Sequence, residues 1–192
     1  MSNIKISSNL DDVILDYLEY CEIEKNLSQN TIRMYHFYLT DFSQWSREYL
    51  KKDVFTLSDI DDDLVKKYRI YLNRRMSSKS NQEYKRSTQK TFLVALRAFL
   101  RYLVVEKGLE ILSPEKIILG KSEDRIPKFL NTGQMKKLFE VQNLDKKSGV
   151  RDKAIIETLY STGLRVSELV ALNRDEVNFD TGEFTVLGKG RK

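Results

Sequence analysis

Arg165 and Glu168 stand three positions apart in the segment Thr162-Gly163-Leu164-Arg165-Val166-Ser167-Glu168-Leu169. Gly163 lets one helix end in a left-handed turn, which leaves Arg165 at the start of the next helix with its side chain free of the preceding core. Three residues later Glu168 returns to nearly the same helical face, where it can fix the guanidinium by charge-assisted hydrogen bonds. The arrangement suits an anchored cation, and the plainest alternative is a surface ion pair. Metal chemistry is not expected. With one cysteine, Cys21, and one histidine, His36, the sequence has no Cys/His set at ligand spacing and no internal disulfide. Cys21 falls on an apolar helical face and reads as a core residue.

The elements that must position such residues are mostly helices. Leu10, Val13, Ile14, Tyr17, Leu18 and Cys21 recur at three- and four-residue intervals, which predicts a first helix capped by Asn9. A second helix starts near Ser28 or Asn30 and carries Tyr35, Leu39, Phe42 and Trp45 on one face. A third spans about Asp61 to Met76, with acidic residues in its first turn and Arg74-Arg75 in its last, as the helix dipole favours. The polar run from Ser77 to Asn81 reads as a loop. In the fourth helix, about Ser87 to Lys107, Arg86, Lys90, Arg97 and Arg101 fall within about 60° of one another. Phe92, Leu96, Phe99 and Leu103 cluster on the far side, so that a core face and a cationic face are expected to be separate.

Both prolines lie between Ser113 and Pro127, in a stretch of mixed polarity after Gly108 that reads as a linker. Beyond it the pattern predicts a short helix at Gln134 to Val141, a longer one at Arg151 to Ser161, and a third reaching Leu172. The turn Asp180-Thr181-Gly182 then precedes a strand from Glu183 to Leu187. The domain boundaries expected are 9–107 for a helical DNA-binding domain, 108–130 for a linker and 131–192 for a second domain.

Charge distribution narrows the class of partner. Residues 1–65 carry 6 basic and 13 acidic side chains, residues 66–107 carry 12 and 2, and residues 108–192 carry 15 and 13. One strongly cationic block on an otherwise balanced chain is the electrostatic footprint of a polyanion partner, most often nucleic acid, although a solvated helix face is the commoner origin of charge runs. No stretch has the length and apolarity of a membrane span, and the N-terminus lacks the pattern of a signal peptide, so that a cytoplasmic location is expected.

Arg151-Asp152-Lys153-Ala154, followed by the run from Leu159 to Leu169, closely resembles the first arginine box of Xer-type tyrosine recombinases and phage integrases. Val186-Leu187-Gly188-Lys189-Gly190-Arg191-Lys192 resembles the β-hairpin that carries the family's catalytic lysine. Leu27-Ser28 with Thr31 and Tyr35, and Ser87-Thr88 with Leu96-Arg97 and Phe99, are similar to its helical core-binding domain. The resemblance implies a mainly α fold: a four-helix, SAM-like core-binding bundle, a linker, and part of an α+β catalytic domain ending in a β-hairpin. It implies double-stranded DNA as partner, with Thr31, Tyr35, Arg86, Lys90, Arg97 and Arg101 as the candidate contacts, and tetramers on two duplexes for full-length members.

The chemistry implied is phosphoryl transfer without metal, cofactor or ATP. A tyrosine attacks a DNA phosphate, giving a 3′-phosphotyrosine and a free 5′-hydroxyl. By resemblance Arg165 stabilises the transition-state charge, Lys189 protonates the departing oxygen, and Glu168 supports the site. The family's His-x-x-Arg box and nucleophilic tyrosine lie downstream of the hairpin lysine. All ten tyrosines here lie at or before Tyr160, and His36 belongs to the second helix. The expectation is therefore an N-terminal fragment of a recombinase, inactive alone. The alternative is a non-catalytic protein that occupies or regulates recombination sites.

Overall fold

Capping chemistry starts the first helices where the sequence places it. Asn9 Oδ1 accepts the Asp11 amide at 3.2 Å, Ser28 Oγ accepts the Thr31 amide at 3.3 Å, and Asp61 Oδ1 accepts the Leu64 amide at 2.7 Å. Each side chain satisfies an amide that has no partner inside its own helix. The resulting helices are α1 (Leu10–Ile23), α2 (Gln29–Leu50), α3 (Asp62–Arg74) and α4 (Arg86–Val105) in a computed structural model that describes residues 5, 8–77, 81–120 and 127–186. The chain divides into two compact units, residues 1–124 and 125–192.

In the first unit the apolar faces of all four helices meet. α1 buries the predicted stripe from Leu10 to Cys21, α2 buries Leu39 and Phe42, and α3 buries Leu64, Val65, Tyr68 and Leu72. α4 is buried at Phe92, Leu96, Phe99 and Leu103, and also at Leu93, Ala95, Leu100 and Tyr102. Aromatic rings lock the layers edge to face: Tyr17 on Phe99 at 5.4 Å and Phe42 on Tyr68 at 4.9 Å between centroids. Burial of each such side chain is worth about 1.5–3 kcal/mol. Ser43, fully enclosed on α2, donates to Asp11 Oδ1 at 2.6 Å, and Arg47 pairs with Asp11 Oδ2 at 2.8 Å, which ties α2 to the first turn of α1.

Two stretches fold more than their sequence pattern announces. Between α2 and α3 a 3₁₀ turn, Leu57–Asp59, places Phe55, Leu57 and Ile60 in the core, and the Leu10 amide donates to the Phe55 carbonyl at 3.0 Å. After α4, Gly108 takes φ +65°, and Leu109, Ile111, Leu112 and Leu119 then pack on the bundle around Ile117, which is only 1% exposed. The first part of the stretch read as linker is thus bundle surface, because its apolar residues cover α4.

The second unit contains α5 (Thr132–Glu140), α6 (Lys147–Thr162), α7 (Val166–Ala171) and a two-stranded antiparallel hairpin. Its strands are β1 (Val177–Asn178) and β2 (Glu183–Phe184), paired Val177 to Phe184 and Asn178 to Glu183. Asn178 Oδ1 accepts the amides of Asp180 and Thr181, which shapes the predicted turn. β2 is shorter than the expected strand, whose Leu187 lies outside the described residues. Of the described residues in this unit, Gly149 alone is buried.

Candidate nucleic-acid interface and arginine site

α4 carries the cationic stripe on one side and its buried residues on the other. Leu93 and Leu100, 5% and 0% exposed, lie just outside the arc of Arg86, Lys90, Arg97 and Arg101, about 20° and 40° beyond its Arg86 edge. The core face thus reaches the edge of the cationic face without entering it. Leu93 lines a groove shared with α3, and the turn Pro114–Lys116 packs on α4. Arg86 and Arg101 are exposed, whereas Lys90 and Arg97 are half-buried. Within that turn the Ser113 hydroxyl, 2.6 Å from Glu115 Oε2, holds the Glu115 carboxyl below the usual carboxylate range. Its own backbone amide and the charges of Arg97 and Arg101 add to the effect.

Arg86 and Lys90 meet Arg69 and Arg74 of α3 across the groove. Arg69 was not singled out from sequence, and Arg74 reads there only as a last-turn partner of the helix dipole; the basic surplus of residues 66–107 alone pointed toward a shared cationic site. Arg75, read as a last-turn partner of the helix dipole, lies just past α3. There it pairs with the largely buried Asp41, which also accepts the Tyr68 hydroxyl at 3.0 Å. Its guanidinium lies 5.4 Å from the ring centroids of both Tyr71 and Tyr84, a double cation–π contact that anchors the passage from α3 to α4.

The two α2 candidates serve the fold as it stands. Thr31 Oγ1 lies 2.9 Å from Ser28 Oγ at the helix start. Tyr35 is half-buried and stacked on Tyr17 at 5.9 Å, and burial pushes its phenol above the usual value. His36 is exposed on α2, and Cys21 is a buried free thiol.

In the second unit the arginine segment has the geometry its spacing predicts. Gly163 ends α6 at φ +68° and donates its amide to the Leu159 carbonyl at 3.0 Å. Arg165 then occupies the N-cap position of α7 in extended conformation. Its amide donates to Glu168 Oε2 at 2.8 Å and its Nη1 to Glu168 Oε1 at 2.7 Å. One carboxylate thus holds both ends of the same residue. The Arg165 amide, followed by its guanidinium, keeps the Glu168 carboxyl below its ordinary range. The Glu168 side chain is 13% exposed and that of Arg165 68%, so the guanidinium stays open to an incoming anion while its support is sheltered. Lys189 lies outside the described residues. Tyr160 sets its ring edge-on to Phe139 at 5.5 Å, a packing role between α6 and α5.

Among the described residues no three His, Cys, Asp or Glu side chains gather as a metal site would require, and no helix is long and apolar enough to cross a membrane.

Comparison with known proteins assigns both units. Residues 14–107 match the model of the phage integrase N-terminal SAM-like domain, and residues 128–192 match that of the phage integrase family. Tyrosine recombinase XerD of Pasteurella multocida is 37% identical over 177 residues, covering 92% of this chain and 56% of the relative. Tyrosine recombinase XerC of Bacillus subtilis is 33% identical over 184 residues, covering 96% and 57%. The chain therefore spans a little over half the length of these curated relatives. The crystal structure of the N-terminal domain of a phage integrase/site-specific recombinase from Haloarcula marismortui aligns with 60% of the chain at TM-score 0.48 and 16% identity. With both of its units matched by the same family's models, the chain belongs to the phage integrase family, among the Xer-like tyrosine recombinases.

Proposed function

We propose that this chain provides the DNA-binding bundle and the arginine-bearing start of the catalytic domain for site-specific DNA recombination. Domain roles follow as 9–107 for core binding, 108–130 for the connection and 131–192 for the start of the catalytic domain. The observation that carries the reading is the Arg165 guanidinium, exposed at the start of α7 and held by a sheltered Glu168. A fixed fork of N–H donors matches the nonbridging oxygens of a phosphate and stabilises charge that grows in the transition state. In the reaction a tyrosyl oxygen forms a bond to phosphorus as the bond to the 5′-oxygen breaks. Lys189 gives that oxygen a proton, and the product is a 3′-phosphotyrosine with a free 5′-hydroxyl. The family's nucleophilic tyrosine lies downstream of the hairpin lysine and so beyond residues 1–192. Double-stranded DNA is the partner, bound through Arg86, Lys90, Arg97 and Arg101 of α4 and through Thr31 and Tyr35 of α2, and the full-length assembly is a tetramer on two duplexes.

A nicked suicide substrate, whose cleaved end diffuses away, tests the chemistry. A chain extended through the family's later boxes should give a DNA adduct that survives denaturation, and residues 1–192 should give none. Arg165→Ala in the extended chain should remove about 3 kcal/mol of transition-state stabilisation, more than a hundredfold in rate. An adduct formed by residues 1–192, or one indifferent to Arg165, overturns the assignment. Binding without any adduct from the extended chain favours the regulatory alternative.

A further inference from the structure

The groove between α3 and α4 encloses about 760 Å³. Lys66, Arg69 and Arg74 of α3 line one wall, Arg86 and Lys90 of α4 line the other, and Leu72 and Leu93 contribute apolar lining. Among the described residues no carboxylate lines it. Lys66 is taken by Asp62, its partner one turn back at 2.6 Å, but Arg69 and Arg74 have no ion-pair partner among the described residues. Gathering like charges around an apolar surface opposes folding through self-repulsion, and low-dielectric walls focus the resulting field into the groove. The width is fixed as well. Gln89 on α4 donates to the Asn73 side chain on α3 at 3.2 Å and to the Tyr84 carbonyl at 2.8 Å, while Arg75 pins the crossing between the helices.

We infer that this groove seats the sugar–phosphate backbone of a nucleic-acid strand, with Arg69 and Arg74 as phosphate contacts additional to the α4 stripe. The inference rests on the DNA-binding reading above and extends it to a second helix. Continuity selects a polymer over a small phosphate. Arg86 and Lys90 belong both to the groove and to the stripe, which runs on to Arg101 over about 22 Å of helix at 1.5 Å per residue. No free phosphate or short polyphosphate spans that track, whereas consecutive phosphates of one strand do. Arginine also suits the role, since its planar fork grips two phosphate oxygens at once.

The test is a salt series of duplex binding by the 192-residue chain, read by fluorescence anisotropy, with each variant first checked for folding by its circular-dichroism melt. Each phosphate contact contributes about 0.9 to the slope of log K against log salt. R69Q/R74Q together should make the slope shallower by about 2. R69K/R74K should keep the slope, because the charges remain, while affinity falls from loss of the two-pronged grip. Removing two charges outside the groove, with K51Q/K52Q, should leave the slope unchanged. Duplex binding by the unmodified chain with an unaltered slope in R69Q/R74Q overturns the groove assignment alone. Absence of any duplex binding overturns the interface reading itself. Displacement of the duplex by inorganic tripolyphosphate at equal phosphate concentration overturns the choice of a strand as ligand.

Discussion

The two units reach helical structure by different means. In residues 1–124 the helices are held from outside, by a core in which Phe42, Phe55, Tyr68, Phe92 and Phe99 are almost wholly enclosed. In residues 125–192 they are held mainly from within. Asn131 and Gln134 cap α5 reciprocally at 2.9 Å, Gly163 closes α6, Glu168 fastens the start of α7, and Glu176 accepts the Asn173 amide at 2.9 Å. Tyr160, Val166, Val170 and Phe179 are left exposed. Short helices without a buried face are marginal in water, so capping bonds carry an unusual share of the second unit's order. The proposed DNA grip therefore sits on a rigid bundle, whereas the proposed chemistry depends on an arginine positioned by local bonds.

The largest expected effect breaks the first unit at its centre. Phe99→Ala should cost about 3–5 kcal/mol through lost burial and the cavity left behind. Leu159→Ala on α6, a half-buried site, should cost about 1 kcal/mol. The single tryptophan, Trp45, packs on Tyr49, Tyr68 and Tyr71, so its fluorescence reports the first unit, while far-ultraviolet circular dichroism reports both. Urea should remove part of the dichroism before Trp45 responds, and limited proteolysis should cut the second unit first. Coincident transitions with equal protease resistance would contradict the contrast drawn between the units.

What the sequence made legible follows the same division. Asn9 as a cap, the helix starts near Ser28 and Asp61, Gly163 as a stop and the Arg165–Glu168 pair all act within four residues, so spacing alone exposes them, although Asp61 itself, the cap of α3, reads from sequence as first-turn charge. The burial of Phe55, Leu57 and Ile60 depends on helices distant in the chain, and their short irregular stretch has no period to detect. Leu93 and Leu100 were left out of the predicted core face of α4, because a helical wheel contains neither α3 nor the segment around Ile117. The shared role of Arg69 and Arg74, the latter read only as a dipole partner, was hidden for the same reason: only the crossing of α3 with α4 turns two surface charges into a groove wall. The candidate lysine of the hairpin, Lys189, is legible only through resemblance.

An intermediate effect probes how tightly the second unit closes upon itself. A Cβ added to Gly149 would stand 1.9 Å from the carbonyl oxygen of Asn143 and 2.6 Å from its carbon, and backbone cannot move aside as a flexible side chain would. Gly149→Ala should cost about 1–3 kcal/mol, as overpacking does, and should loosen the first turns of α6. Gly133→Ala in α5 meets only Asn131 Oδ1 at an ordinary 3.5 Å, so this change should instead gain about 0.5–1 kcal/mol from helix propensity. Opposite signs in the dichroism-monitored melts would support the close approach. Equal, small effects would show that α6 is free to shift away from Asn143.

The smallest effect is a pH dependence confined to the start of α7. The Arg165 amide and guanidinium hold the Glu168 carboxyl below its unfolded value of about 4.3, so its contribution is fully present above that pH and is lost as pH falls through the lower folded value. Between pH 7 and 5 nothing should change, and below about 4 the hold on Arg165 should weaken. Asp59 in the first unit offers the contrast. Burial acts to raise its pKa, but the Lys52 ammonium and the amide and hydroxyl of Thr56 outweigh it, and the turn around it also has Leu57 and Ile60 in the core. Protonating Asp59 should leave that turn in place, because packing still holds it. Amide hydrogen exchange and the nuclear magnetic resonance shift of the Arg165 amide, followed against pH, separate the two cases. Acid should speed exchange at Arg165, beyond the intrinsic pH trend, more than at Thr56. Glu168→Gln should keep the amide bond through its carbonyl oxygen yet abolish the titration, and Glu168→Ala should expose the amide at every pH. A Glu168→Gln variant that retains the acid-induced change would show that another carboxylate, not Glu168, governs the position of Arg165.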